Sequence, residues 1–468
     1  MPSVDQKVEI HGLELFVSAE FEDAADGEIE LQTQVFNEKK AVLRIAFHGS
    51  GEVQLKSLRV TTSVSTANSH GIYFGGDPHL EMGYLPHGKL VKRVAAHCGV
   101  PLISLINRVG TNICSLGFLG QQLETEMIAQ LSEIDARYHI SFARPIPVLV
   151  DGTPTQLSLN SGHVEEFLVD LEQQSWQEVA RSYGKLALAS SKIDPLPVNP
   201  EAFEPVFCTW TAIHHDLSEV WCIETASIAF DLGFRTWITD DGWHHSGGEF
   251  GNYDDVGGWE PTASKFSDFA AHVKSIQNLG MKYLLWVAPF MLGTDNTDLD
   301  RTGLMLQPGH QGANFEMLDP LQSGVAIHVA NLLERLMADY KLDGFKIDFI
   351  DSVSAQKFLQ SSASSGQAMM DALELALRPL VEENPNLLIE FRNSYANLAM
   401  QSFGNLYRSS DLPVNFFLNR WQATMLRILN PGRAVVTDPM LWPMDESVEN
   451  VAVHLINGLS AVNMVSVD

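Results

Sequence analysis

The chain has 468 residues, 45% of them hydrophobic and 19% charged, the balance of a folded protein with room for two or three cores rather than of a disordered or fibrous one. Its 58 acidic against 30 basic residues leave a formal charge of −28, a field that repels nucleic acid and anionic membranes but costs a neutral sugar nothing. The four cysteines (Cys98, Cys114, Cys208, Cys222) have neither metal-ligand spacing nor the density of a disulfide scaffold. The opening Met-Pro-Ser-Val-Asp-Gln-Lys lacks an apolar signal core and no apolar run is long enough to span a bilayer, so the expected home is the reducing cytoplasm.

Residues 1–173 are rich in short alternating runs: Val8 to Ile10, Leu13 to Val17, Ile29 to Val35, Ala41 to Phe47, Leu58 to Thr62, Tyr138 to Phe142 and Val148 to Val150. Turn residues such as Gly12, Gly49 with Gly51, Gly75-Gly76 and Asp151-Gly152 punctuate them, which predicts an antiparallel β-sandwich. It carries no chemical motif and is expected to pack on its neighbour as a scaffold or lend a loop to its pocket. Residues 174–204 read as a connector, with Trp176, Val179, Ala180, Tyr183 and Leu186 at helical spacing over Gln174 to Leu188 and then prolines at 195, 197 and 200.

From 205 to 468 short apolar strands alternate with amphipathic helices. The strands are Val206 to Trp210, Phe234 to Thr239, Met281 to Ala288, Gly344 to Phe349, Leu387 to Phe391, Leu406 to Arg408, Ala434 to Val436 and Val462 to Val467. Helices are expected over Ser218 to Leu232, Phe266 to Leu279, Gly324 to Tyr340, Gln367 to Glu383, Ala396 to Phe403, Phe416 to Leu429 and Val448 to Gly458. Eight such strands point to a (β/α)8 TIM barrel after an all-β N-terminal part. No eighth helix follows the last strand, so the barrel is expected to be truncated there, with no further C-terminal β-domain.

Active sites of such barrels lie at the C-terminal strand ends. There the chain offers Trp210 after strand one, Asp240, Asp241 and Trp243 after strand two, Trp286 in strand three, and Lys346 with Asp348 at strand four. Arg392 and Asn393 follow strand five, Arg408 and Asp411 strand six, and Asp438 and Trp442 strand seven. In Leu342 to Ser352 the alternation puts Lys346 and Asp348 on one side and Phe345 and Ile347 on the other. Carboxylates among tryptophans suit a sugar site: acceptors for hydroxyls, flat faces for C–H surfaces and two acids for a glycosidic bond. His214-His215 and His244-His245 are adjacent pairs that point opposite ways on extended chain, so no metal is expected, and Gly-Gly at 247 and 257 lacks the spacing of a phosphate loop. Asp351 reads as a structural contact or helix cap.

Phe-Cys-Thr-Trp at 207–210, Ile-Thr-Asp-Asp-Gly-Trp at 238–243, Gly-Gly-Trp-Glu-Pro from 257, Gly-Phe-Lys-Ile-Asp at 344–348, Arg-Ser-Ser-Asp at 408–411 and Asp-Pro-Met-Leu-Trp at 438–442 together resemble the melibiase-like, or family 36, α-galactosidases, in the expected order on the expected strands. The resemblance implies a retaining exo-hydrolysis of terminal α-D-galactosyl residues by a two-aspartate double displacement without a cofactor. Asp348 would be the nucleophile and Asp411 the acid/base, whose surroundings should raise its pKa. Lys346 would keep Asp348 ionised and hold a hydroxyl, Asp240 and Asp241 would grip O4 and O6, and Trp210 and Trp259 would flank the sugar. Trp243, Trp286, Arg392 and Arg408 join the expected substrate contacts, with Asp438 and Trp442 at the rim. The implied partner is a small-molecule carbohydrate, and similar enzymes are often homo-oligomers. Three departures leave the substrate open: Arg392 within Glu390-Phe-Arg-Asn-Ser394, where the family commonly has Cys with paired glycines contacting O2, Ile347 in place of Trp, and Ala288-Pro-Phe290 in place of Glu-Pro-Glu. The alternatives are an α-N-acetylgalactosaminidase or other α-glycosidase, a raffinose-synthase-like α-galactosyl transferase, and a non-catalytic carbohydrate-binding protein.

Overall fold

The computed structural model describes residues 3–21, 27–49, 52–76, 89–144, 157–244, 253–297, 306–308, 314–353 and 365–467. The expected strand Val148 to Val150, together with Gly51, His245 and Gly247, lies outside them.

Two antiparallel sheets form the N-terminal part. One follows the order Ser3–Ile10, Leu13–Phe21, Glu52–Ser65, Arg137–Arg144, Thr125–Ser132, Lys89–Val94, with Leu157–Asn160 added beside Glu52–Ser65. The other runs Glu28–Asn37, Lys40–His48, Val164–Asp170, Asn112–Phe118, Leu102–Ile106, Gly71–Phe74. Alternation in Leu13–Phe21 sends Leu13, Leu15, Val17, Ala19 and Phe21 inward, where they meet Leu43, Leu116, Phe142 and Phe167, so the facing sheets bury one apolar layer. The other expected runs fall on strands, and Leu102–Ile106, which was missed, is buried throughout and gives no period-2 signal.

The helix Trp176–Ser190 starts at a capping box, Ser175 with Glu178. Its buried face (Trp176, Ala180, Tyr183, Ala187) packs between Tyr73, Leu102 and Leu168 of the sheets and Leu398, Met425 and Leu429 of the C-terminal part. One helix thus joins the sandwich to the C-terminal part through a shared apolar cluster.

The remaining chain forms a ring of parallel strands: β1 Val206–Cys208, β2 Thr236–Thr239, β3 Lys282–Val287, β4 Gly344–Ile347, β5 Leu388–Arg392, β6 Leu406–Arg408, β7 Ala434–Val436 and β8 Met464–Val465. They pair in the order β7-β6-β5-β4-β3-β2-β1-β8, and bridges of Val436 with Val462 and Met440 with Val465 bring the two ends together into a nearly closed barrel. Side chains of Ser218, Asp268, Asn415 and Ser447 accept the N–H groups that open the helices Glu219–Asp231, Phe269–Asn278, Phe416–Leu429 and Val448–Gly458. Gly344 is required by packing: a Cβ there would stand 1.8 Å from the Leu388 carbonyl oxygen.

Several boundaries differ from expectation. β1 stops at Cys208, and Trp210 opens a short helix, Trp210–Ile213. Ala396 to Phe403 is a single 3-10 turn, Ala399–Ser402, because its side chains are buried all round and no amphipathic face exists to carry a longer helix. The connection after β3 holds a small antiparallel sheet of Met291–Gly293, Leu306–Pro308 and Phe315–Leu318. The sandwich meets the barrel beside the ends of β4 and β5: His97 Nε2 contacts the Val353 carbonyl, Gly99 N–H donates to the Ser394 carbonyl at 3.2 Å, and Gly366 N–H donates to Glu124 Oε1 at 3.1 Å.

Candidate active site

At the C-terminal ends of the strands lies a pocket of about 300 Å³ lined by Trp210, Asp240, Asp241, Trp286, Lys346, Asp348, Arg392, Arg408, Asp411 and Asp438, with Thr211, His214, Tyr253, Phe349, Pro413 and Pro439. Residues 228 positions apart in sequence thereby meet: the Thr211 hydroxyl reaches the Pro439 carbonyl at 3.4 Å.

Asp348 follows β4, its N–H donating to the Val287 carbonyl at 2.9 Å. Its two oxygens are treated differently. Oδ1 receives the Phe349 N–H at 2.7 Å and faces Arg392 Nε at 2.8 Å and the Tyr395 hydroxyl at 3.0 Å, whereas among the described residues Oδ2 receives only Trp286 Nε1–H, at 3.1 Å. Burial pushes this carboxyl up, but Arg392, then Lys346 and Arg408, more than offset it and hold Asp348 well below the usual carboxylate range. Lys346 itself ion-pairs with Asp240, and that pairing overcomes burial and raises its pKa.

Asp240 and Asp241 sit on the turn after β2. Asp240 Oδ2 meets Lys346 and the Cys208 thiol (3.0 Å), and its Oδ1 accepts the Asp241 N–H at 2.9 Å. Asp241 accepts Gly242 N–H at 2.6 Å and His244 at 2.9 Å on Oδ1, and His215 at 3.0 Å on Oδ2. The two imidazoles outweigh burial and keep Asp241 ionised, below its ordinary range. Gly242 adopts φ +98°, and a Cβ would press on His215 Cα at 2.8 Å, so the turn that aims both aspartates needs glycine.

Asp411 follows β6 with its side chain 65% exposed toward the pocket. Arg408 Nη1 and Nη2 both lie 3.1 Å from Oδ1, and Arg392 Nη1 donates to Oδ2 at 2.9 Å. The expectation that its surroundings raise its pKa is corrected: burial and Asp348 act upward, but Arg408 and Arg392 outweigh them and the carboxyl is held low.

Arg392 is the hub of the pocket. One guanidinium reaches Asp348, Asp411 and, through Nη2 at 3.3 Å, Asp351, and lies over the rings of Phe349 (5.4 Å) and Tyr395 (5.9 Å). Asp351 is the structural contact expected of it, and also takes the Ser394 hydroxyl at 2.6 Å.

Three expected contacts are placed outside the pocket, and a fourth is placed in its wall rather than at its rim. Trp243 (0% exposed) and Trp259 (1%) lie behind Trp286 and His244 in the core and do not line the pocket, because the apolar layer under β2 and β3 takes them in. Trp442 is half-buried outside the lining. Asp438 lines the pocket but is no rim residue: it is 3% exposed, Oδ1 is ion-paired with Arg408 and Oδ2 accepts the Leu412 N–H at 2.6 Å. The residues missed are His215 and His244, which orient Asp241, and Tyr395 and Glu390. The Asp-Gly-Trp-His spacing at 241–244 was a visible signal for His244; Tyr395, three positions past a strand end, gave none. Among the described residues no group of three or more His, Cys, Asp or Glu converges to hold a metal, and no helix is long and apolar enough to cross a membrane.

Residues 192–395 match the family model described as Melibiase. A curated relative, Alpha-galactosidase 1 of Pediococcus pentosaceus, is 28% identical over 149 residues, a match covering 30% of this chain and 20% of the relative's own length. Among solved structures, the GH36 α-galactosidase AgaA of Geobacillus stearothermophilus in complex with raffinose superposes with a TM-score of 0.68 at 15% identity, over 100% of this chain and 68% of the other. The α-galactosidase TtGalA of Thermus thermophilus, solved with p-nitrophenyl α-D-galactopyranoside, gives 0.61 at 15% identity over 99% of this chain and 90% of the other. The solved structures establish the fold, and the family model matches the part of the barrel up to residue 395, which holds the motifs at 207–210, 238–243, 257 onward and 344–348.

Proposed function

We propose that this chain, whose residues 192–395 carry the melibiase family pattern, is a glycoside hydrolase that removes terminal α-D-galactosyl residues by a retaining double displacement. The observation that carries the reading is the single Arg392 guanidinium spanning Asp348 at 2.8 Å and Asp411 at 2.9 Å inside one small pocket: two carboxylates bridged by one cation suit a catalytic acid pair. A pocket of about 300 Å³ is at the small end for ligand sites and fits one sugar ring, hence exo attack.

In the first step Asp348 attacks the anomeric carbon with Oδ2, the oxygen that among the described residues carries one hydrogen bond rather than two and is not the one facing Arg392 Nε. The C1–O bond breaks as Asp411 gives its proton to the departing oxygen. In the second, Asp411 as carboxylate takes a proton from water, whose oxygen attacks C1 and frees Asp348. Before the first step Asp411 must bind a proton and give up its Arg392 contact, since a protonated oxygen cannot keep that pairing. Lys346, Asp240 and Asp241 supply donor and acceptors to the ring hydroxyls, and Trp210 and Trp286 the flat surface.

The test is hydrolysis of aryl α-glycosides of galactose, N-acetylgalactosamine, glucose and xylose by the wild type, Asp348→Ala and Asp411→Ala. Cleavage of the galactoside, lost by orders of magnitude in Asp348→Ala and with retained anomeric configuration in the wild type, supports the proposal. Cleavage of none of the four sinks it.

A further inference from the structure

Asp438 sits on the segment after β7, yet both polar links its side chain makes among the described residues run toward Asp411. Oδ2 accepts the N–H of Leu412, the residue next to Asp411, at 2.6 Å, while Oδ1 pairs with Arg408, whose terminal nitrogens stand 3.1 Å from Asp411 Oδ1. Its own backbone is pinned from β6 and the helix after it: Asp438 N–H donates to Ser409 Oγ (2.7 Å) and Asn419 Oδ1 (2.8 Å), and Asn419 Nδ2 donates to the Asp438 carbonyl at 3.0 Å. Arg408 is 2% exposed and Asp438 3%, in contrast to the open side chain of Asp411. The exposed acid is therefore fastened to a buried frame on both its backbone and its Oδ1.

We infer that Asp438 is a positioning residue for the acid/base carboxyl, fixing Asp411 through Arg408 and through the Leu412 peptide so that Asp411 Oδ2, once Arg392 releases it, is the oxygen left to carry and deliver the proton. The inference rests on the double-displacement reading of the site. The geometry divides the labour: Arg408 keeps its hold on Oδ1 from a buried position, and Arg392, with one nitrogen on Oδ2, is the partner that yields. The charged groups facing Asp438 are Arg408, Asp411 and Lys346. Glu390 shares Arg408 from the other side at 3.4 Å, so three carboxylates draw on one guanidinium, and burial pushes the Asp438 carboxyl up to about 7.

The experiment compares kcat/KM for two aryl α-galactosides, one with a good leaving group (2,4-dinitrophenyl) and one with a poor one (4-methoxyphenyl), in the wild type and Asp438→Asn. kcat/KM reports the first, acid-assisted step, and only the poor leaving group needs the proton. An acid that is present but misaimed costs about 100-fold on the 4-methoxyphenyl substrate and less than about threefold on the dinitrophenyl one. Equal losses on both overturn the inference, because a binding or folding role does not sense the leaving group, and so does no loss on either. Arg408→Lys, a cation that cannot span two carboxylates, is expected to give the same selective loss and carries the test if Asp438→Asn does not fold. If the wild type cleaves neither substrate, the hydrolase reading has failed and the inference falls with it; a wild type active on both with an indifferent Asp438→Asn removes the inference alone.

Discussion

Replacing Arg392 by Met removes the charge that joins the two catalytic candidates and leaves a side chain of similar length between Phe349 and Tyr395. Two effects of different size result. Asp348 is 9% exposed, and losing a charge-assisted contact to such a group costs about 1.5–3 kcal/mol, or roughly 10- to 150-fold in kcat/KM where that contact orients the nucleophile. Trp286, Tyr395 and the Phe349 N–H remain, so activity falls without vanishing. On Asp411 the effect is smaller and has the opposite sign. Its side chain is 65% exposed, so solvent screens the pair to about 1 kcal/mol, a roughly fivefold gain in proton affinity. The assay is kcat/KM for p-nitrophenyl α-D-galactopyranoside across pH. The basic limb, which reports the acid in the free enzyme, moves to higher pH in Arg392→Met while the plateau drops. A limb that stays put or moves to lower pH refutes the claim that Arg392 holds Asp411 ionised, whatever happens to the plateau.

Other consequences can be checked one at a time. Gly344→Ala sets a Cβ against the Leu388 carbonyl and is expected to break the β4–β5 pairing, so the variant unfolds at lower denaturant or is recovered only as aggregate; a wild-type midpoint would contradict this packing. Trp176→Ala empties the contact between sandwich and barrel, where Trp176 stands 4.8 Å from Tyr73, and is expected to cost about 3–5 kcal/mol in chemical denaturation. Asp438 is held near 7, above the ordinary value of 3.8; a raised pKa gives stability that is full below the unfolded value and lost as pH rises through the folded one. The thermal midpoint of the wild type is thus expected to decline between about pH 4 and 7 more steeply than that of Asp438→Asn, and parallel profiles would exclude the effect.

What the sequence makes legible here is what a strand end obliges. Asp348, Lys346, Asp240 and Asp241 stand in or within two residues of strands buried on both faces, so alternation and barrel topology aim them without any knowledge of their neighbours. Trp243 shows the limit of that rule: an aromatic near a strand end can turn into the layer behind the site as readily as into it, and here Trp286 lines the pocket while Trp243 and, from the loop beyond, Trp259 pack behind it. The charge state of Asp411 was illegible for a different reason. Which cation reaches a carboxylate is decided by side chains from three strands, and Arg392, Arg408 and Asp438 are separated by 16 and 30 positions yet form one chain of ion pairs. An acid that starts between two guanidiniums is poorly disposed to hold a proton, and the structure offers one way out. Arg408 is held by Asp438 and Glu390, so on the proposed mechanism the contact of Arg392 on Oδ2 is the one a sugar would displace. On the proposed double displacement, protonation of Asp411 goes with release of that contact, because the two guanidiniums are what hold its carboxyl low.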